Sequence, residues 1–230
     1  MKIEICCGSI EDVYTAHRLN VDRIELNNAL ELGGLTPSLA TLIEAKKATH
    51  LPLCCMVRPR PAGFIYTDKE YETMLLEAKI LLDNGADGIV FGFLKKDRKI
   101  DTERTLEMVK LIKSYGKEAI FHKAFDECED LKEALKTLIA CGIDRVLTGG
   151  GKVSIEEGSR LLGELQLKYG DKIQILPGGG VREDNVQEII RNSKCTQIHM
   201  TAKMTLQDRG EYFVVGEENF KKIKNKIDEM

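Results

Sequence analysis

The fold class this sequence predicts is α/β, a (β/α)₈ barrel of the TIM type formed by residues 1–230 as one domain, and three observations predict it. Short β-rich runs alternate with longer amphipathic runs, the pattern of a parallel sheet whose crossovers are helices. Eight such units can be counted, and 230 residues is the scale of one such barrel. A turn signature also recurs about every second unit, at Asn20-Val21-Asp22, Asn84-Gly85-Ala86-Asp87 and Cys141-Gly142-Ile143-Asp144. Each stands where a helix should end and a strand begin. Asn or Gly accepts the left-handed conformation that closes a helix, and the Asp can tie down the turn.

Taken in order, the strands are expected at Lys2 to Cys6, Arg23 to Leu26, Leu53 to Arg58, Gly88 to Phe91, Glu118 to His122, Arg145 to Thr148, Ile173 to Leu176 and Gln197 to Met200. Between them apolar residues recur at three- and four-residue spacing, as in Met74, Ala78, Leu81 and Leu82, or Leu106, Val109 and Ile112. Helix starts are marked by Ser9, Thr36-Pro37, Asp68 and Ser154. Residues 203–216 read as a long connection, a lid or a subunit contact, before a last helix from Glu217 to Ile227.

The composition, 43% hydrophobic and 31% charged, is that of a globular protein. A net charge of −3 with interspersed signs supplies no positive field for a polyanion, so nucleic acid is not an expected partner. Met1-Lys2-Ile3-Glu4-Ile5 runs straight into a strand without the apolar stretch of a signal peptide, and no run approaches a membrane span. The expected location is the cytoplasm. Seven Cys is an odd number, and Cys6-Cys7 and Cys54-Cys55 lie inside apolar runs, which suits buried thiols better than disulfides.

Alternation along a strand sends residues two apart to the same side of the barrel wall. Glu4 and Cys6 share a face, as do Glu25 and Asn27, Met56 and Arg58, and His199 and Thr201, while Ile3, Ile5, Ile24 and Leu26 take the other. Charges in an apolar interior need partners, so Glu4 or Glu25 is expected to pair with Arg58. Active sites on this fold lie at the carboxyl ends of strands. Glu25, Arg58 and His122, with Asp126, are therefore the candidate catalytic residues, and a structural ion network is the alternative reading.

Gly-rich loops follow the sixth and seventh strands, at Thr148-Gly149-Gly150-Gly151 and Pro177-Gly178-Gly179-Gly180. Their backbone amides can seat an anion, or the glycines merely permit tight turns. Neither loop has the spacing of a dinucleotide or Walker motif. Arg58-Pro59-Arg60 leaves the third strand with two guanidinium groups suited to a carboxylate or phosphate. One function these residues support is a lyase or isomerase acting on a small phosphorylated or carboxylated metabolite. Glu25 or His122 would be the base and Arg58 the anchor, with Arg60, Thr148, Gly149, Gly178, Gly179, Gly180, His199 and Thr201 around the substrate. Thiols offer a second chemistry, since soft sulfur selects Cu(I) or Zn. Only Cys6 lies near the mouth, because Cys54 is about 13 Å along its strand from Arg58.

Several segments carry a resemblance to a known family: Glu4-Ile5-Cys6, Gly33-Gly34-Leu35-Thr36-Pro37-Ser38, Met56-Val57-Arg58-Pro59-Arg60, Gly85-Ala86-Asp87-Gly88-Ile89-Val90-Phe91-Gly92, Phe121-His122-Lys123-Ala124-Phe125-Asp126 and Pro177-Gly178-Gly179-Gly180-Val181. Together, and in order along nearly the whole chain, they resemble the CutC copper homeostasis family. The resemblance implies a cytosolic TIM barrel, assembled as a homodimer or homotetramer, with Cu(I) as ligand and Cys6 as a metal ligand. It also implies a second Cys at the end of the second strand, where this chain has Asn27, so a His or Met would complete the site.

Overall fold

The computed structural model describes residues 1–230. Eight parallel strands alternate with eight helices: β1 (Lys2–Cys7), α1 (Ile10–Arg18), β2 (Arg23–Leu26), α2 (Leu39–Ala48), β3 (Leu53–Met56), α3 (Asp68–Asp83), β4 (Gly88–Phe91), α4 (Thr102–Ser114), β5 (Glu118–Phe121), α5 (Leu131–Ala140), β6 (Arg145–Thr148), α6 (Ile155–Tyr169), β7 (Gln174–Pro177), α7 (Val186–Ser193), β8 (Gln197–Met200) and α8 (Glu217–Asp228). Hydrogen bonding links the strands in the order β7-β6-β5-β4-β3-β2-β1-β8. β7 and β8 then lie side by side, where the Gln197 side-chain Nε2 donates to the Ile175 carbonyl at 3.3 Å. The architecture is a TIM barrel.

Side-chain oxygens fix the helix starts by accepting otherwise unpaired first-turn amides. Ser9 accepts from Asp12 N and Ser154 from Glu157 N, as expected. Two caps sit a residue or two away from expectation, at Ser38 for α2 and at Thr67 for α3, the latter in a reciprocal box with Glu70. The recurrent turns are explained by hydrogen bonding to a neighbouring strand. Asn20, Gly85 and Gly142 all have positive φ. The Asp that follows each of them accepts an amide from the first or second residue of the preceding strand: Asp22 from Ile3, Asp87 from Leu53 and Asp144 from Ala119, at 2.7, 3.1 and 2.7 Å. These three carboxylates stitch β1 to β2, β3 to β4 and β5 to β6 at the amino-terminal end of the barrel.

Ile3, Ile5, Ile24 and Leu26 are buried in the main apolar cluster between sheet and helices. In α4 the packed face is Thr105, Met108, Val109 and Ile112, whereas Leu106, expected on it, faces solvent. The lumen is divided. On the β3–β5 side Cys54, Met56, Val90 and Ile120 form a small separate apolar cluster. On the β1, β2 and β8 side the lumen is polar. The segment expected as a connection at 203–216 is instead an antiparallel hairpin, β9 (Lys203–Gln207) with β10 (Glu211–Val215). Its base is pinned where Asp12, itself buried, accepts the Val215 amide at 2.7 Å.

Candidate functional site at the barrel mouth

Parallel register assembles the site before any side chain is considered. Cys6 stands beside Glu25 across β1 and β2, and Glu4 beside His199 across β1 and β8. All four side chains point inward by alternation and are at least nine-tenths buried. Donor atoms of Cys6, Glu25 and His199 lie within 4.8 Å of one another. Glu4 Oε1 holds His199 Nδ1 at 2.8 Å, and the other ring nitrogen, Nε2, stands 4.0 Å from Glu25 Oε2. Asn27 Nδ2 donates to Glu25 Oε2 at 2.7 Å and to Cys6 Sγ at 3.3 Å. Glu25 Oε1 has no hydrogen-bond partner. A Cβ on Gly178 would come within 3.0 Å of the His199 side chain, so glycine there leaves the imidazole its room.

The electrostatics follow from this packing. Burial works to raise the Glu4 carboxyl, but the His199 hydrogen bond and the Arg23 guanidinium outweigh it and bring it down to about 2. Burial raises Glu25, and the neighbouring Glu4 charge adds to that. For His199 burial disfavours the cation, yet the flanking Glu25 and Glu4 carboxylates prevail and raise it. Burial, with Glu25 adjacent, pushes the Cys6 thiol up. Cys6 is thus a protonated thiol whose conversion to a thiolate ligand requires a cation strong enough to displace the proton.

Below this cluster lies a network that sequence reasoning passed over. Arg23 Nε donates to Glu4 Oε2, and Arg23 Nη2 donates to Gln197 at 3.1 Å. Arg145, wholly buried, donates to Glu118 at 2.8 Å and Gln174 at 3.4 Å. The alternation that turns Glu25 inward also turns Arg23 inward, so the signal was present. Arg23 is the cation nearest Glu4, which is why the expected pairing of Glu4 or Glu25 with Arg58 does not form. Arg58 Nη1 instead donates to the carbonyls of Leu32, Gly33 and Gly34 at 3.2, 3.1 and 3.0 Å.

The remaining expected residues divide in the same way. His122 is buried on the mouth wall, its Nδ1 accepting the Ala124 amide at 3.1 Å, with Phe64 packed 4.8 Å away between centroids. Asp126 is engaged by the loop after β6: it accepts the Gly149 amide at 2.9 Å, the Gly151 amide at 3.1 Å and the Thr148 hydroxyl at 2.5 Å. The expected anion seat at Thr148 and Gly149 is thereby filled by the protein's own carboxylate, and Asp126 itself is anchored. Arg60 lies away from the mouth, paired with Glu70 Oε1 at 2.5 Å and the Ala62 carbonyl at 2.6 Å. Gly179, Gly180 and Thr201 line the mouth cavity, whose volume is about 1260 Å³, together with Cys6, Glu25, Arg58, His122 and His199.

Fold and site define a TIM-barrel protein with a thiol, a carboxylate and an imidazole converging at the floor of an open mouth. A profile of the CutC family matches residues 1–204. The chain belongs to the CutC family. It is 50% identical over 202 residues to family protein CutC of Treponema denticola, covering 88% of this chain and 81% of that one. It is 37% identical over 211 residues to the human copper homeostasis protein cutC homolog, covering 92% of this chain and 76% of that one. The crystal structure of CutC from Streptococcus agalactiae superposes with a TM-score of 0.82 at 29% identity, covering 87% of this chain and 98% of that one.

Proposed function

We propose that this chain is a copper homeostasis protein that takes a copper ion as cargo at Cys6, Glu25 and His199. The observation that carries the reading is the convergence of these three donor atoms within 4.8 Å. Two further features support it. Glu4 holds the far nitrogen of His199, the carboxylate–histidine arrangement that orients imidazole ligands in metal sites. Glu25 Oε1 is buried without a partner. Thiolate and imidazole suit Cu(I), with the carboxylate as a harder third donor. His199 stands in the role of the His or Met that Asn27 leaves open, and Asn27 fixes the Cys6 and Glu25 side chains instead.

The enzyme reading loses its phosphate seat and one of its two guanidinium groups. Asp126, Thr148 and Gly149 satisfy one another, and Arg60 is held by Glu70. All seven cysteines are free thiols, which supports a reducing compartment such as the cytoplasm. No helix is long and apolar enough to cross a membrane. The hairpin exposes Met204, Leu206 and Tyr212, a surface suited to homo-oligomer contact.

Anaerobic Cu(I) titration against a competing chelator tests the reading. One equivalent should bind, with binding lost in Cys6→Ala and weakened about tenfold or more in His199→Ala. Absence of binding, or binding unaffected by Cys6→Ala, refutes it.

A further inference from the structure

Beside the three donors, the same mouth contains a cation that no carboxylate neutralises. Arg58 is 7% exposed, yet its hydrogen bonds run to three neutral backbone carbonyls, and its Nε has no partner. A buried guanidinium without a counter-ion is costly, and such groups are ordinarily paired.

His122 stands next to it as a second unmatched donor. The Ala124 amide can only donate, so His122 Nδ1 must accept. Burial, aided by the Arg58 charge, drives the imidazole down to about 3, so the ring is neutral and its one proton is on Nε2. That Nε2–H is buried and also without a partner. Phe64 joins the two donors, its ring 4.8 Å from His122 and 5.3 Å from the Arg58 guanidinium carbon. All three line the cavity of about 1260 Å³. Lys123 adds a second cation on the wall, close enough to Gly179 that a Cβ there would fall 2.6 Å from its Nζ.

We propose that Arg58 and the neutral Nε2–H of His122 form a binding site for a small carboxylate, with Phe64 packed over both donors. One planar guanidinium and one imidazole N–H match the two oxygens of a carboxylate. A phosphate would call for more donors, and the backbone amides of Gly149 and Gly151 already serve Asp126. The site is separate from the copper donors, so it does not depend on the copper reading.

Full-length protein treated with chelator is titrated with acetate, malonate and inorganic phosphate at constant ionic strength. Thermal unfolding and the ¹⁵N–¹H signals of Arg58 Nε and His122 Nε2 are followed. A saturable rise in Tm with acetate or malonate, together with movement of both signals, is the expected result. Arg58→Lys keeps the charge but loses the planar fork, and His122→Phe keeps the packing but loses the donor; each should weaken binding about tenfold. Cys6→Ser should lose copper and keep the carboxylate, which separates failure of this site from failure of the copper reading. No saturable response in the wild type, equal response in Arg58→Lys, or binding of phosphate alone overturns the proposal.

Discussion

The lumen and the mouth of this barrel use the same residue types to opposite ends. In the lumen Glu4 meets Arg23 and His199, Arg23 also meets Gln197, and Arg145 meets Glu118 and Gln174 through its terminal nitrogens, with only its Nε unpartnered. At the mouth Glu25 Oε1, Asn27 Oδ1, Arg58 Nε and His122 Nε2 are all buried and unpartnered. Charges that answer one another hold the strands in place. Polar atoms left unanswered at a cavity are the ones available to a ligand. Glu4 belongs to both regions, because it completes the lumen network and turns the other nitrogen of His199 toward Glu25.

The largest losses of stability are expected from substitutions in the lumen. Arg23→Met leaves Glu4 with one partner fewer inside the barrel and should destabilise the fold by about 3–5 kcal/mol in urea unfolding. A loss below about 1 kcal/mol would show that the network is dispensable. Asp126→Ala ranks next: it strands two backbone amides and a hydroxyl of the loop after β6, for about 1–3 kcal/mol. Mouth substitutions should separate stability from binding. Cys6→Ala should cost about 1 kcal/mol or less while removing copper binding.

A pH series sharpens the contrast further. His122 is held at about 3 when folded, against an ordinary value of 6.5, so the unfolded chain binds its proton first. Its contribution to stability is complete above pH 6.5 and declines as pH falls from 6.5 toward 3. In His122→Phe the stability curve should be shallower across that window, and an unchanged slope would mean that the folded ring titrates normally. The smallest effect is expected on the outer face of α6, where Leu167→Gln, at an exposed position, should change stability by no more than about 0.5 kcal/mol.

Much of this was legible in the sequence because the relevant signals are local. Alternation in Glu4-Ile5-Cys6 and Arg23-Ile24-Glu25 sorts side chains to the two faces of the wall, and the Asn or Gly followed by Asp marks the turns. What escaped depends on register and distance. That His199 reaches Glu4 requires knowing that β8 closes against β1, 195 residues away in sequence. Charge matching pointed to Arg58 as the partner for Glu4, but Arg23 in the adjacent strand is nearer. Asp126 looked catalytic because nothing local reveals that amides 23 and 25 residues later fold onto it. The hairpin did have a local signature: Met204, Leu206, Tyr212 and Val214 alternate around Asp208-Arg209-Gly210, with Arg209 at positive φ. Length alone favours a connection there, and the alternation is what marks the two strands.

In the proposed function one thiol, one imidazole and one carboxylate receive copper at the mouth. X-ray absorption at the copper edge on protein loaded anaerobically with one equivalent of Cu(I) tests it most directly. One sulfur scatterer with nitrogen or oxygen neighbours in the wild type, and no protein-bound copper signal in Cys6→Ser, is the predicted result. Two or more sulfur neighbours, or a spectrum unchanged in Cys6→Ser, would contradict it.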